Sequence, residues 1–100
     1  MILVIGGRSK IGSALIQALV AKKQNVRALA RTGESVHPIA GVEIVAGDLA
    51  DEASLVTAMR GVEKVFLLSS PHPDAVSWHR NAIDAARRTD VQLLVRSSIV

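Results

Sequence analysis

The residues best suited to chemistry lie near the start of the chain, Gly6-Gly7-Arg8-Ser9-Lys10-Ile11-Gly12. They follow an unbroken apolar run, Ile2-Leu3-Val4-Ile5, and open a segment of helical periodicity. A strand buried on both faces, a glycine turn and then a helix is how a parallel sheet presents free backbone N–H groups to a phosphate. Gly6 permits the tight turn, and Gly12 lets helix and strand pack closely. The amides between them have no helical carbonyl to bond, and the helix dipole adds roughly half a positive charge beside them. A diphosphate fits that arrangement. Ser9 stands where such turns usually carry a middle glycine, so its Cβ holds the phosphate off or its hydroxyl binds it. Lys10, in the first helical turn, opposes the dipole by about a few tenths of a kcal/mol, a cost that a bound anion offsets.

Arg31 follows Gly12 by 19 residues, at the end of a second apolar strand. A dinucleotide site keeps its ribose discriminator there, an acid for a free 2′-hydroxyl or an arginine for a 2′-phosphate. Ala30-Arg31-Thr32 offers the arginine and no acid, and Arg8 can approach the same phosphate from the other side. The expected cofactor is therefore NADP(H) in preference to NAD(H); the alternative is an exposed arginine that merely closes a strand. Asp48 and Leu49, straight after a third strand, suit an adenine amino group and an apolar wall for its ring, or else Asp48 helps to cap the next helix. Ser69 and Ser70 follow a fourth strand, where a chain passes beneath a nicotinamide ribose, or else are ordinary loop serines. His37, His72 and His79 lack metal-ligand spacing. Ser70 near His72 lacks a nucleophile-elbow pattern, which argues against hydrolase chemistry.

These residues need elements to hold them. A first helix is expected from about residue 10 to 23, with Ile11, Ala14, Leu15, Ala18 and Leu19 as its inward stripe and Ser9 as its N-cap. Strands are expected over 26–30, 42–46, 64–68 and 92–96. Residues 33–41 read as a loop where a doubly wound fold often carries a helix. A helix from about 51 to 60 turns Leu55, Val56 and Met59 inward and stops at Gly61. A longer one, capped by Asp74, reaches about Thr89 with Val76, Ala82, Ile83 and Ala86 apolar; Arg80, Asp84 and Arg88 form an ion-pair row on it. Alternating strands and helices joined by right-handed crossovers predict an α/β fold, a doubly wound parallel sheet of five strands in the order 3-2-1-4-5. Its ligand belongs at the switch point between the first and fourth strands, where Gly6 and Ser69 should meet.

One hundred residues make a single domain, and 49% hydrophobic content indicates a packed core. The absence of cysteine excludes a disulfide framework, thiol catalysis and thiolate metal sites. No apolar run reaches the roughly 18 residues of a membrane span, so a cytoplasmic location is expected and no membrane partner. The net charge of +3 is unevenly spread: Arg8, Lys10, Lys22, Lys23, Arg27 and Arg31 all precede the first acid, Glu34. An anionic partner on the N-terminal unit follows, or else a solvated basic face. A single Phe and a single Trp give no stacking platform for nucleic acid.

With these residues in place, the chain resembles the N-terminal half of the NmrA-like, atypical short-chain dehydrogenase/reductase family. The match runs through residues 4–12, Val26-Arg27-Ala28-Leu29-Ala30-Arg31, Gly47-Asp48-Leu49 and residues 65–71. It continues in Asn81-Ala82-Ile83-Asp84-Ala85-Ala86 and Val95-Arg96-Ser97-Ser98. The resemblance implies a Rossmann-type NAD(P)-binding domain over 1–100, the N-terminal portion of a longer fold and truncated after the fifth strand. It implies Gly6, Ser9, Lys10, Ile11 and Gly12 along the pyrophosphate, Arg31 at the 2′-phosphate, Asp48 and Leu49 at adenine and Ser69 at the ribose. The implied activity is that of an NADPH-preferring oxidoreductase, quinone-reducing in a full-length parent; the alternative is a non-catalytic NADP(H)-sensing module with a protein partner. Ser97 and Ser98 match the region of a catalytic serine, but the chain has no tyrosine to pair with it. Helices that complete the first helix's face come later in family members. Bare apolar sheet near the fourth and fifth strands is thus expected, and with it dimerisation or segment exchange.

Overall fold

The structure is a computed structural model describing residues 1–6, 10–30, 40–69 and 73–98, without the side chains of Lys10, Ser69 and Ser98. Its elements run β1 (Ile2–Ile5), α1 (Lys10–Ala21), β2 (Val26–Ala30), β3 (Val42–Ala46), α2 (Glu52–Ala58), β4 (Lys64–Ser69), α3 (Ala75–Arg87) and β5 (Leu93–Ser98). The five strands form one parallel sheet in the order β3-β2-β1-β4-β5. This is the predicted Rossmann-like α/β arrangement.

β1 is central and buried at all four positions, which explains its uninterrupted apolar sequence. Its side chains alternate between two cores. Val4 faces α1 and packs with Ile16, Val26, Ala28 and Leu68. Leu3 and Ile5 face α2 and α3 and pack with Leu55, Met59, Leu67, Ala82 and Ala85. Small residues on α3 let that helix lie close to the sheet and to α2.

The inward face of α1 differs from the expected stripe. Ile11 is 55% exposed, Ala14 and Ala18 are exposed, and Leu15 and Leu19 are half-buried. Gly12 and Ile16 are the buried positions instead. The helix is apolar on several sides, and the side bearing Gly12 can approach the sheet most closely. The helix also ends two residues early, at Ala21, because Lys23 turns to φ 60. On α3, Val76 is 72% exposed while Ala85 is buried. Asp74 holds the N-cap position without a side-chain capping bond. Arg88 reaches across to Glu52 on α2, 3.2 Å away, rather than serving only a row along its own helix. The expected loop over 33–41 and the cap at Ser9 fall outside the described residues, apart from a turn at Ala40 and Gly41.

Arg27 corrects one use of the basic N-terminal charge. It points from β2 to the α2 side, and its Nη1 donates to the carbonyls of Ala58 and Arg60, both at 2.8 Å. Its Nε donates to Glu43 on β3 at 3.1 Å. The carbonyls are those orphaned at the end of α2, so this guanidinium closes a helix terminus and is not offered to a ligand.

On the α1 face, β5 contributes Leu93 and Val95, 48% and 38% exposed, beside Lys64 and Phe66 of β4. Among the described residues no helix covers this half of the sheet, and β5 is its open edge. None of the described helices is long and apolar enough to cross a membrane.

Candidate functional site

All five strands point the same way, so their carboxyl ends share one edge of the sheet. Gly6 leaves β1 there, beside the end of β4, because Ile5 pairs with Leu67. The next described residue, Lys10, opens α1. Gly6 has φ +93, in the left-handed region that favours glycine. A Cβ on it would overlap the carbonyl oxygen of Leu68 and lie 3.1 Å from that residue's carbonyl carbon and Cβ. Both facts require glycine: the turn needs the backbone conformation, and the crossing of β1 past β4 needs the space. Gly12, one turn into α1, is buried. Ile11 lies exposed beside it.

The ends of β2 and β3 meet at the same edge, with Ala30 in register with Ala46. The Gly47 N–H donates to the Ala30 carbonyl at 2.9 Å. A Cβ at Gly47 would come within 2.5 Å of Leu29 Cδ1, so the chain turns tightly against β2 here. Arg31, the residue after Ala30, lies outside the described residues, as do Arg8 and Ser9. Lys10 and Ser69 are placed by their backbones, at the first position of α1 and the last of β4.

Asp48 and Leu49, both half-buried, form the turn that follows. Asp48 Oδ1 accepts from the Ala50 N–H at 2.8 Å, and the Asp48 N–H donates to Ser54 Oγ at 3.0 Å. The Leu49 carbonyl accepts from Asn81 Nδ2 of α3 at 2.8 Å. Capping of α2 falls to Asp51, whose Oδ1 accepts from the Ala53 N–H at 3.1 Å. Asp48 is thus not the residue that caps the helix. Its carboxylate retains acceptor capacity after the bond from Ala50. Ser54 and Asn81 hold the turn, yet sequence reasoning assigned neither a role. Asn81 left a signal: an amide in mid-helix, between Arg80 and Ala82.

No His/Asp/Glu cluster of metal-binding geometry occurs among the described residues. What the edge does contain is a glycine-only crossing, a helix start and a rigid polar turn, set across a topological switch point. That combination can bind an extended anion with a flat base at one end.

Comparison with known proteins agrees with this reading. A family model described as NAD(P)H-binding matches residues 6–100. An NAD(P)H azoreductase of Xenophilus azovorans is 36% identical over 100 residues, covering 98% of this chain and 35% of that one. The Escherichia coli NADPH-dependent quinone oxidoreductase, solved with NADPH, superposes with a TM-score of 0.82 at 27% identity, covering all of this chain and 37% of that one. The triphenylmethane reductase of Citrobacter sp. gives a TM-score of 0.83 at 32% identity over 96% of this chain and 36% of that one. A further structure of that reductase is complexed with NADP(H). The chain spans about a third of the length of these relatives.

Proposed function

Since the chain belongs to the NAD(P)H-binding family, we propose that it binds NADP(H) in preference to NAD(H). The resemblance to NmrA-like, atypical short-chain reductases is borne out by the relatives and their shared fold. The observation that carries dinucleotide binding is Gly6, with φ +93 against the Leu68 backbone where β1 and β4 end. The preference for NADP(H) rests on Arg31 in the sequence. A Cβ on Gly6 would run into the Leu68 backbone, so only glycine lets the chain leave β1 beside β4 toward the start of α1, where helix N–H groups favour a diphosphate. The residues fit the group. Gly6, Ser9, Lys10, Ile11 and Gly12 hold the diphosphate, Arg31 and Arg8 the 2′-phosphate, Asp48 and Leu49 the adenine, and Ser69 the nicotinamide ribose.

When bound, the cofactor supplies a hydride; this chain's part is to bind and orient it. In a longer parent protein the acceptor belongs to the class of quinones and related conjugated compounds. Quinone and azo reduction in the relatives support that class. The exposed Leu93 and Val95 and the open edge of β5 support self-association of the chain in hand.

Isothermal calorimetry with NADPH and NADH in parallel tests the cofactor reading. Tighter binding of NADPH is expected. Equal or tighter binding of NADH overturns the preference, and no binding of either overturns the function.

A further inference from the structure

We propose that Asn81 is a positioning residue that sets recognition of the adenine base, although it belongs to a different element from the turn that meets the base. This rests on the placement of adenine at Asp48 and Leu49 proposed above.

Side-chain hydrogen bonds hold that turn from three directions. Ser54 Oγ accepts from the Asp48 N–H, Asp48 Oδ1 accepts from the Ala50 N–H, and Asn81 Nδ2 donates to the Leu49 carbonyl. The first two come from residues close in sequence and travel with the loop. The Gly47 N–H ties the start of the turn to β2 through the Ala30 carbonyl, and the third bond ties its far end to α3, 32 residues away. Asparagine is a poor residue for the interior of a helix, because its side chain competes for backbone groups. Here it spends that side chain on another element instead. The Leu49 carbonyl can only accept, so the amide must present its nitrogen to it.

The consequence is geometric. Asp48 can read an exocyclic amino group only if its carboxylate is held at a fixed height above the sheet edge. Leu49 can wall the ring only if its backbone does not swing outward. The Asn81 bond pins the carbonyl that directly follows these two side chains, and Leu49 packs against the core shared by α2 and α3. Without it, the turn keeps its bonds to β2 and α2 but loses the one that fixes its far end against α3. Adenine then meets a carboxylate of variable position, and discrimination fades before binding does.

The test uses NADPH and its hypoxanthine analogue, which carries a carbonyl oxygen in place of the adenine amino group. The whole chain is titrated as wild type, Asn81→Ala and Asn81→Asp, the last matching asparagine in size but presenting no donor. Wild type should favour NADPH by about tenfold, the value of one good hydrogen bond. Both variants should bring the ratio close to one, mostly by weakening NADPH. A ratio unchanged in the variants overturns the role of Asn81, even if both ligands weaken together, as a purely structural role would require. Wild type that binds both ligands equally overturns it as well, by removing adenine readout at Asp48. Wild type that binds neither overturns instead the cofactor reading on which this rests. A reading that needs no variant is the Asn81 side-chain amide resonance of the wild type. It should shift with NADPH and stay in place with nicotinamide mononucleotide, which lacks the adenine half; no shift at saturating NADPH overturns the assignment.

Discussion

The carbonyl oxygen of Leu68 occupies the space that a Cβ on Gly6 would take. β1 and β4 are therefore as close at their carboxyl ends as backbone contact allows, and Gly6 has φ +93 besides. Gly6→Ala is expected to destabilise the chain by about 3 kcal/mol or more. Roughly 1–2 kcal/mol of that comes from the left-handed conformation and the rest from displacing backbone that cannot move aside. Urea denaturation measures it. A loss below about 1 kcal/mol would mean that the crossing relaxes easily.

Arg27 links three elements through one guanidinium, and its side chain is 14% exposed. Arg27→Met keeps the buried stem but leaves the Ala58 and Arg60 carbonyls without their donor, and should cost about 2–3 kcal/mol. Glu43 is 52% exposed, so Glu43→Gln should cost less than about 1 kcal/mol. Comparing the two denaturation midpoints checks that the carbonyls, not the ion pair, dominate.

Arg31 carries the proposed choice between cofactors. Arg31→Ala should weaken NADPH by about 10- to 100-fold, the loss of charge-assisted bonds to one phosphate, and leave NADH nearly unchanged. Equal weakening of both in calorimetry would assign the residue a general electrostatic role.

Leu93 and Val95 expose apolar surface beside an edge strand. Sedimentation of the chain should show association that rises with concentration. Val95→Lys places a charge on the edge and should shift the distribution toward monomer. A wild type that stays monomeric at every concentration would contradict the proposed self-association.

Much of this architecture was legible from local pattern. Ile2-Leu3-Val4-Ile5 could only be a strand buried on both faces, and the alternation that follows gave the strand order. Gly6 was legible for the same reason that it is required: few other residues could leave such a strand so abruptly. The orientation of α1 was not legible, because Lys10–Ala21 is apolar around most of its circumference and pattern alone cannot choose a face. Closeness of approach chose it, through buried Gly12 and Ile16. Arg27 looked like part of a basic surface, since nothing local says that the end of α2 lies above it. Asp48 could be read as a ligand contact or as a cap for α2, and only three-dimensional placement shows that Asp51 does the capping. Asn81 was hidden for a related reason: its partner lies 32 residues away.

The central claim is that the glycine crossing and the start of α1 hold a dinucleotide diphosphate. Titrating NADPH into the isotopically labelled chain while recording its amide spectrum tests this most directly. The Gly6, Ile11 and Gly12 resonances should move first and furthest, with those of Asp48 to Ala50 following in the same saturation curve. If these amides stay in place at saturating NADPH, the cofactor does not bind at this edge of the sheet and the account is wrong.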